Sequence, residues 1–366
     1  MSAAPAEETR TFRAPGRVNL IGEHTDYNLG FVLPIALELE TRIRTTPSPD
    51  GQLHIHSAAR DETRSWPLAD VSSLRPQGHW SDYVIGVAQQ LIQRGFDIPA
   101  LHLHVESTVP EGAGLSSSAA LEVASALAFL QGRDLDRLEI ARLCQRAESD
   151  FVGMPCGIMD QYCSLFGQEG AATKLDCRSL ESEAVPLPEN AAFLAVNSMV
   201  KHSLGQSAYR TRVEECAEAS KALGITSLRD AKLDSVLATP MPETVRKRAI
   251  HIVTENRRVE EFAAASRAGD LASMGHLFRR SHRSMSQDYA ISCPEIDFLV
   301  DAAVAIPGCY GARMTGGGFG GCTVNLVASG AVKGFSEAIR EAYRKARGID
   351  PQVIACVPAR GAGEIQ

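Results

Sequence analysis

A two-domain protein of mixed α and β structure is what this sequence predicts. Three observations lead there. The chain has 366 residues, more than the ~100–200 of one ordinary domain. Its first third sets short apolar strands against helices with an apolar face. Its texture then changes around residues 177–196, and the last part returns to helix, strands and helix, the order of an α+β domain with helices on one face of a sheet.

The elements follow in chain order. Apolar runs at Phe31–Leu37, Leu53–Ser57 and Leu101–Val105 read as strands bounded by turns. Between the last two, Tyr83–Gly95 carries Val84, Val87, Leu91 and Ile92 at helical spacing. After Leu115 the run SSSAALEVASALAFLQ predicts a helix opened by serines able to cap it. A further helix is expected from about Leu135 to Ser149. The segment DCRSLESEAVPLPENAAF reads as strand, turn and strand, and a boundary there gives domains of 1–180 and 181–366. Residues 207–287 read as charged helices. Helix Glu295–Ala305, two strands around a glycine cluster, helix Ala331–Ala346 and strand Val353–Val357 complete the chain.

Composition narrows the function. Apolar residues make up 44% and charged residues 22%, the balance of a globular protein with a core. The 37 basic residues lie scattered among 44 acidic ones, for a net charge of -7, and no cationic block offers itself to a phosphate backbone. Neither nucleic acid nor an anionic membrane is an expected partner. The opening MSAAPAEETRTF lacks the apolar run of a secretory signal, and no stretch approaches the ~20 apolar residues of a membrane span. The nine cysteines contain no C-x-x-C pair, which suits reduced thiols in the cytoplasm.

Three segments carry chemistry. Val109–Ser118 joins a strand to a helix; Gly112 and Gly114 permit close backbone approach, and serines follow at the helix start, where unpaired N–H groups favour an anion. This is a phosphate cradle without the Gly-Lys-Ser/Thr ending of a Walker loop. Met314–Cys322 holds five glycines in six positions and contains G-x-G-x-x-G. A strand follows it where a dinucleotide fold needs a helix. No H-R-D or D-F-G triplet occurs in the chain, so a protein kinase is excluded too. A loop packed against a nucleotide or another domain is the expectation. In Gly16–Tyr27, Arg17, Glu23, His24 and Asp26 follow a strand-like stretch and offer the groups that replace water around sugar hydroxyls.

Together these segments resemble the three signatures of the GHMP kinases, and GRVNLIGEHTDYN resembles the galactokinase branch in particular. The similarity continues through CGIMDQYCSLFG (156–167), LDCRSLE (175–181), NSMVKHSL (197–204), SHRSMSQDY (281–289) and MTGGGFGGCTV (314–324). The resemblance implies a two-domain GHMP kinase fold of mixed sheets and helices, with the active site in the cleft between domains. It implies transfer of a phosphoryl group from ATP to the C1 hydroxyl of galactose, with Mg²⁺ as cofactor, the entry step of galactose catabolism. The alternatives are another sugar 1-kinase, such as one for N-acetylgalactosamine, and a non-catalytic galactose and ATP sensor.

Carried over residue by residue, the resemblance makes Asp160 and Arg17 the catalytic pair. It sets Glu23, His24, Thr25, Asp26, Gly157 and Tyr209 against the sugar. Ser57, Trp80 and Tyr83 fall near the adenine, and Gly112, Ala113, Gly114, Leu115, Ser116, Ser117 and Ser118 form the phosphate loop. Ser118 and Glu148 would hold the metal. Galactose and ATP are the implied partners, and a monomer is the expectation. Phosphoryl transfer is chiefly positioning and charge stabilisation, which one hydroxyl, one carboxylate and a cation can supply.

Four histidines alternate on strands, His54 with His56 and His102 with His104, and read as solvated strand faces. His251 and Glu255, four apart on a helix, read as an ordinary surface pair.

Overall fold

The computed structural model describes residues 9–201 and 205–365. The first eight residues lie outside them, as do His202, Ser203 and Leu204 of the segment matched at 197–204.

The chain starts with β1 (Arg10–Asn19), whose inward residues Phe12, Ala14 and Val18 are buried. Its pairing with β3 (Pro34–Pro47) shifts register between Pro15 and Arg17, a bulge that re-aims the Arg17 side chain. The short β2 (Phe31–Val32) stands between them; β4 (Gln52–Ser57) and β5 (Glu62–Pro67) form a hairpin. Then follow α1 (Leu68–Val71), α2 (Ser81–Gln93), β6 (Leu101–Ser107), α3 (Ser117–Leu130) and α4 (Arg137–Arg146). The helix expected to reach Ser149 gives way at Ala147–Val152 to a π-helical turn, a departure common at functional sites. After it come α5 (Met159–Phe166), β7 (Ala171–Asp176), β8 (Ser182–Pro186) and β9 (Ala191–Lys201).

The helical stretch is α6 (Gly205–Leu223), α7 (Leu233–Ala238), α8 (Glu243–Arg267) and α9 (Leu271–Gln287). The chain ends through α10 (Pro294–Ala305), β10 (Cys309–Thr315), β11 (Gly320–Ala328), α11 (Val332–Arg347), β12 (Gln352–Ala355) and β13 (Gly363–Ile365).

Among the described residues the strands form three sheets, ordered β13-β1-β3-β6-β4-β5, β10-β11-β9-β12 and β2-β7-β8. Every pairing is antiparallel except β4 with β6. β5 and β13 had no sequence signal, the first being polar on both faces and the second three residues long. Residue 180 lies in the turn between β7 and β8, and β13 brings the end of the chain back to β1. His54 stacks on His102 and His56 on His104 across the parallel pair, with ring centroids 4.3 and 4.9 Å apart. Among the described residues no helix is long and apolar enough to cross a membrane.

One apolar core lies between the first sheet and α2–α5, a second between the four-stranded sheet, α10 and α11. A third joins the halves: Val18, Leu20, Ile35 and Leu115 pack with Phe262, Phe278, Cys322 and Val324. Buried charge crosses the same junction. Arg313 of β10, fully enclosed, donates to Glu23 Oε2 at 2.7 Å and to the Leu20 carbonyl, and stands 3.7 Å from Glu255. The pair expected on the surface is in fact interior: His251 and Glu255 are both 0% exposed. Glu255 accepts from Arg258 Nε at 2.6 Å, Ser281 Oγ at 2.7 Å and the Gly22 amide at 3.0 Å. Burial works against its charge, yet Arg258 and then Arg313 outweigh it and hold its carboxyl well below the usual range. The arginines that make this helix face look solvated are what permit a carboxylate inside.

Removing one partner of a buried ion pair strands the other charge, which typically costs about 3–5 kcal/mol. Arg313→Met is therefore expected to destabilise the fold by about that much in urea denaturation. A loss below roughly 1 kcal/mol would mean that Glu23 and Glu255 do not depend on it.

Candidate functional site

Two adjoining cavities open between the halves, of about 480 and 970 Å³, and both are lined by Gly112, Ser117, Ser118 and Glu148. The smaller gathers Arg17, Glu23, His24, Asp26, Gly114, Ser116, Gly157, Asp160 and Tyr209 with the glycine loop 316–321. The larger takes Ser57, Trp80 and Tyr83. Thr25, Ala113 and Leu115 line neither. Thr25 is buried and its hydroxyl donates to the carbonyls of Gly22 and Phe31, while the side chains of Ala113 and Leu115 join the shared core.

At the floor of the smaller cavity Arg17 grips Asp160 with two nitrogens, Nε to Oδ1 at 2.8 Å and Nη2 to Oδ2 at 2.9 Å. Its third nitrogen donates to the Gly114 carbonyl at 2.6 Å, tying the pair to the segment 112–118. Burial alone would lower the Arg17 pKa, but Asp160 raises it above its ordinary value, so the guanidinium is permanently charged. Ser116 Oγ adds a 2.5 Å hydrogen bond to Asp160 Oδ2. That bond replaces the helix cap the sequence suggested: Ser116 has φ 59° and its hydroxyl does not cap α3. Backbone in this sparsely populated region costs on the order of 1–3 kcal/mol and concentrates at functional sites.

The first motif forms one wall. Both oxygens of Glu23 are taken by protein donors: Asn19 and Arg313 on Oε2, Thr315 Oγ1 and the Gly316 amide on Oε1. Its charge thus holds the glycine loop in place. His24, at φ 62°, sets Nε2 3.2 Å from the Gly317 carbonyl and Nδ1 2.8 Å from Tyr27 Oη. A carbonyl only accepts, so the proton sits on Nε2 and Nδ1 accepts from Tyr27. Burial first, then His251, lowers the His24 pKa to about 3, leaving the ring neutral at physiological pH. Tyr27 in turn touches Tyr289 Oη at 2.7 Å, which meets Cys216 Sγ at 3.0 Å.

Two glycines are fixed by this crowding. A Cβ on Gly157 would come within 2.0 Å of Asp26 Oδ2, and one on Gly316 (φ 88°) within 2.9 Å of the Gly114 carbonyl. The second contact shows that segments 109–118 and 314–322 face each other across the cleft. Tyr209 closes the wall, with ring centroids 5.0 Å from His24 and 5.7 Å from Tyr27.

Glu148 projects from the π-helical turn toward Ser118, whose hydroxyl hydrogen-bonds its carboxylate. Burial, then Asp160, raises its pKa to about 7. A desolvated carboxylate and a hydroxyl facing open space fit a hard divalent cation that keeps most of its other ligands as phosphate oxygens and water. Gln161, unremarked in the sequence, donates to Glu148 Oε2 at 2.8 Å. At the far wall of the larger cavity Trp80 Nε1 donates to Glu62 at 3.1 Å, which orients the indole. Arg313, Tyr27 and Gln161 escaped sequence reasoning because each acts through a partner remote in the chain. Only their position inside matched motifs could have drawn attention to them.

The sequence matches three family descriptions: "GHMP kinases N terminal domain" at residues 82–168, "Galactokinase galactose-binding signature" at 3–47 and "GHMP kinases C terminal" at 262–345. A galactokinase of Roseiflexus sp. is 43% identical over 362 residues, covering 96% of this chain and 92% of the relative. The human galactokinase is 48% identical over 350 residues, with 92% and 88% covered. A crystal structure of Lactococcus lactis galactokinase complexed with galactose superposes with TM-score 0.93 at 33% identity, over 98% of this chain and 95% of that one. The mevalonate kinase of Methanococcus jannaschii, at TM-score 0.70 and 18% identity, shares the fold.

Asp26 generates a prediction from these walls. Burial first, then Asp160, raises its pKa from 3.8 to about 7. From pH ~4, where an unfolded aspartate ionises, up to about 7, the folded chain keeps a proton that the unfolded chain releases. Stability is full below that window and falls as pH rises through it, by an upper value of about 4 kcal/mol. Asp26→Asn is therefore expected to raise Tm at pH 8 by more than at pH 5, in the absence of ligand. An unchanged or lower Tm at pH 8 would show that Asp26 is not held charged against its surroundings.

Proposed function

The chain belongs to the galactokinase branch of the GHMP kinases, and we propose that its two cavities hold galactose and ATP for phosphoryl transfer at the Asp160–Arg17 pair. It is a sugar kinase of the galactokinase type, moving the γ-phosphoryl group of ATP to the C1 hydroxyl of galactose. The bidentate Asp160–Arg17 contact in the smaller cavity is the observation that carries the assignment of roles. The proposed halves are 1–180 and 181–366, and free cysteines suit the cytoplasm.

Galactose occupies the smaller cavity. Asp26 accepts from its hydroxyls, His24 and Tyr209 offer ring faces and edges, and Glu23 serves by fixing Gly316 rather than by touching the sugar first. Gly157 leaves Asp26 the room that a Cβ would fill. Asp160, held on both oxygens, presents its remaining lone pairs to the C1 hydroxyl. The orientation is set before substrate arrives, so little is spent on arranging the nucleophile. In a loose transition state the hydroxyl proton leaves late, and a weak base such as Asp160 suffices to take it. Arg17 fixes Asp160 with two hydrogen bonds and presents positive charge beside the phosphoryl group.

ATP lies in the larger cavity, its adenine between Trp80, Tyr83 and Ser57, its phosphates on the backbone of 112–118. The N-terminus of α3 turns unpaired N–H groups toward the same point. Mg²⁺, when bound by Ser118 and Glu148, would neutralise charge on the phosphates. Glu148 then stays ionised below its free value of about 7.

Two experiments test these roles. In an ADP-release assay, galactose is expected to outpace glucose by ~10⁴-fold or more in kcat/KM, because a misplaced C4 hydroxyl leaves buried polar groups unpaired. Asp160→Ala should lower kcat by ~10²–10⁴-fold while galactose still binds. Glucose within tenfold of galactose contradicts the activity; a variant keeping a tenth of kcat contradicts only the role of Asp160. Separately, Ser118→Ala and Glu148→Ala should each raise the Mg²⁺ concentration for half-maximal rate, by ~10-fold or more. Unchanged Mg²⁺ dependence in both would remove this metal site.

A further inference from the structure

Behind Glu148, away from both cavities, lies a polar pair that the proposed chemistry does not use. Gln161 on α5 and Glu122 on α3 are both 0% exposed. The amide nitrogen of Gln161 donates to Glu122 Oε2 at 2.9 Å and to Glu148 Oε2 at 2.8 Å. Both amide protons are thereby spent, one on each carboxyl group.

We propose that Gln161 is a positioning residue for Glu148, and that Glu122 anchors its amide from the other side. The inference rests on the metal site proposed above.

Two buried atoms of the pair have no hydrogen-bond partner, Glu122 Oε1 and Gln161 Oε1. In its ionised form Glu122 offers only acceptors, so nothing could satisfy either atom. A proton on Glu122 Oε1 supplies the missing donor. Carboxylic acid and carboxamide then close a ring of two hydrogen bonds, Nε2–H to Oε2 in one direction and Oε1–H to Oε1 in the other. Burial, then Glu148, pushes the Glu122 carboxyl well above its ordinary range, consistent with the neutral form.

The ring anchors the amide, and Glu148 sets its direction. Were Gln161 turned over, its carbonyl oxygen would face the Glu148 carboxylate, acceptor against acceptor. With Glu148 Oε2 held from behind, the carboxylate cannot rotate without leaving a buried amide proton unpaired, a cost of about 1–3 kcal/mol. Groups that orient a metal ligand in this way typically matter 10–100-fold in metal affinity.

The test uses the full-length enzyme with ADP and Mn²⁺, the paramagnetic stand-in for Mg²⁺. Free Mn²⁺ is read by electron paramagnetic resonance without turnover. Glu148→Ala should abolish or greatly weaken binding. Gln161→Leu should weaken it ~10-fold or more, with galactose binding close to wild type and Tm lowered, since Glu122 is left unpaired. Glu122→Gln should stay within about twofold, since an amide repeats both the donor and the acceptor of a neutral acid. Should Gln161→Leu fail to fold, Gln161→Asn, whose amide falls short of Glu148, carries the same expectation.

Wild-type Mn²⁺ affinity in the Gln161 variant, with binding lost in Glu148→Ala, overturns the positioning role and leaves the metal site standing. Wild-type affinity in Glu148→Ala overturns both. A tenfold loss in Glu122→Gln shows that Glu122 acts as an anion and overturns its part.

Discussion

One buried guanidinium holds the first and third signature segments together. Arg313 leaves β10 and reaches Glu23 and the Leu20 carbonyl at the end of β1. Thr315, two residues on, donates to the Asn19 carbonyl, and the Gly316 amide returns to Glu23. Glu23 is at once the last acid of the sugar wall and the first anchor of the glycine loop. Without that anchor the loop 316–321, whose glycines impose no rigidity of their own, has no reason to stay against Gly114. The cleft owes its shape to an ion pair lying wholly inside the protein.

Around that pair the site accumulates more negative than positive charge. Asp160 adds to burial in raising both Asp26 and Glu148, and Arg17 is spent on Asp160. Two of the three carboxyls are consequently pushed to about 7. On the roles proposed above, such a site is destabilised until its ligands arrive: hydroxyl protons for Asp26, a cation for Glu148. Local instability in the free protein and recognition of sugar and nucleotide are the same electrostatic fact.

How much of this was legible in the sequence varies with what sets each feature. The glycine and serine segments were legible because local backbone demands write themselves into adjacent residues. The helices of 207–287 were visible as a long charged stretch, and strands of the first sheet as apolar runs bounded by turns. Ser116 misled: a serine before a helix is ordinarily its cap, and only Asp160, 44 positions away, draws its hydroxyl elsewhere. His251 and Glu255 misled for a similar reason, since a helix rich in arginine reads as solvated when its charges are matched inside. The π-helical turn at Ala147–Val152 has no signature of its own, although it aims Glu148. Thr25, Ala113 and Leu115 sit within matched motifs, yet their side chains support the walls from behind. A motif marks a stretch of chain and leaves open which of its side chains face the ligand.

The central claim is that the Glu23–Arg313 pair organises the cleft, beyond adding to stability. A double-mutant cycle on Glu23→Gln and Arg313→Met, read on kcat/KM for galactose, measures that directly. Each single change should lower kcat/KM strongly and the double change little further, for a coupling of about 2–3 kcal/mol, the upper range for residues in one network. Effects that add within about 0.5 kcal/mol would mean that the two residues act independently and that something else sets the cleft.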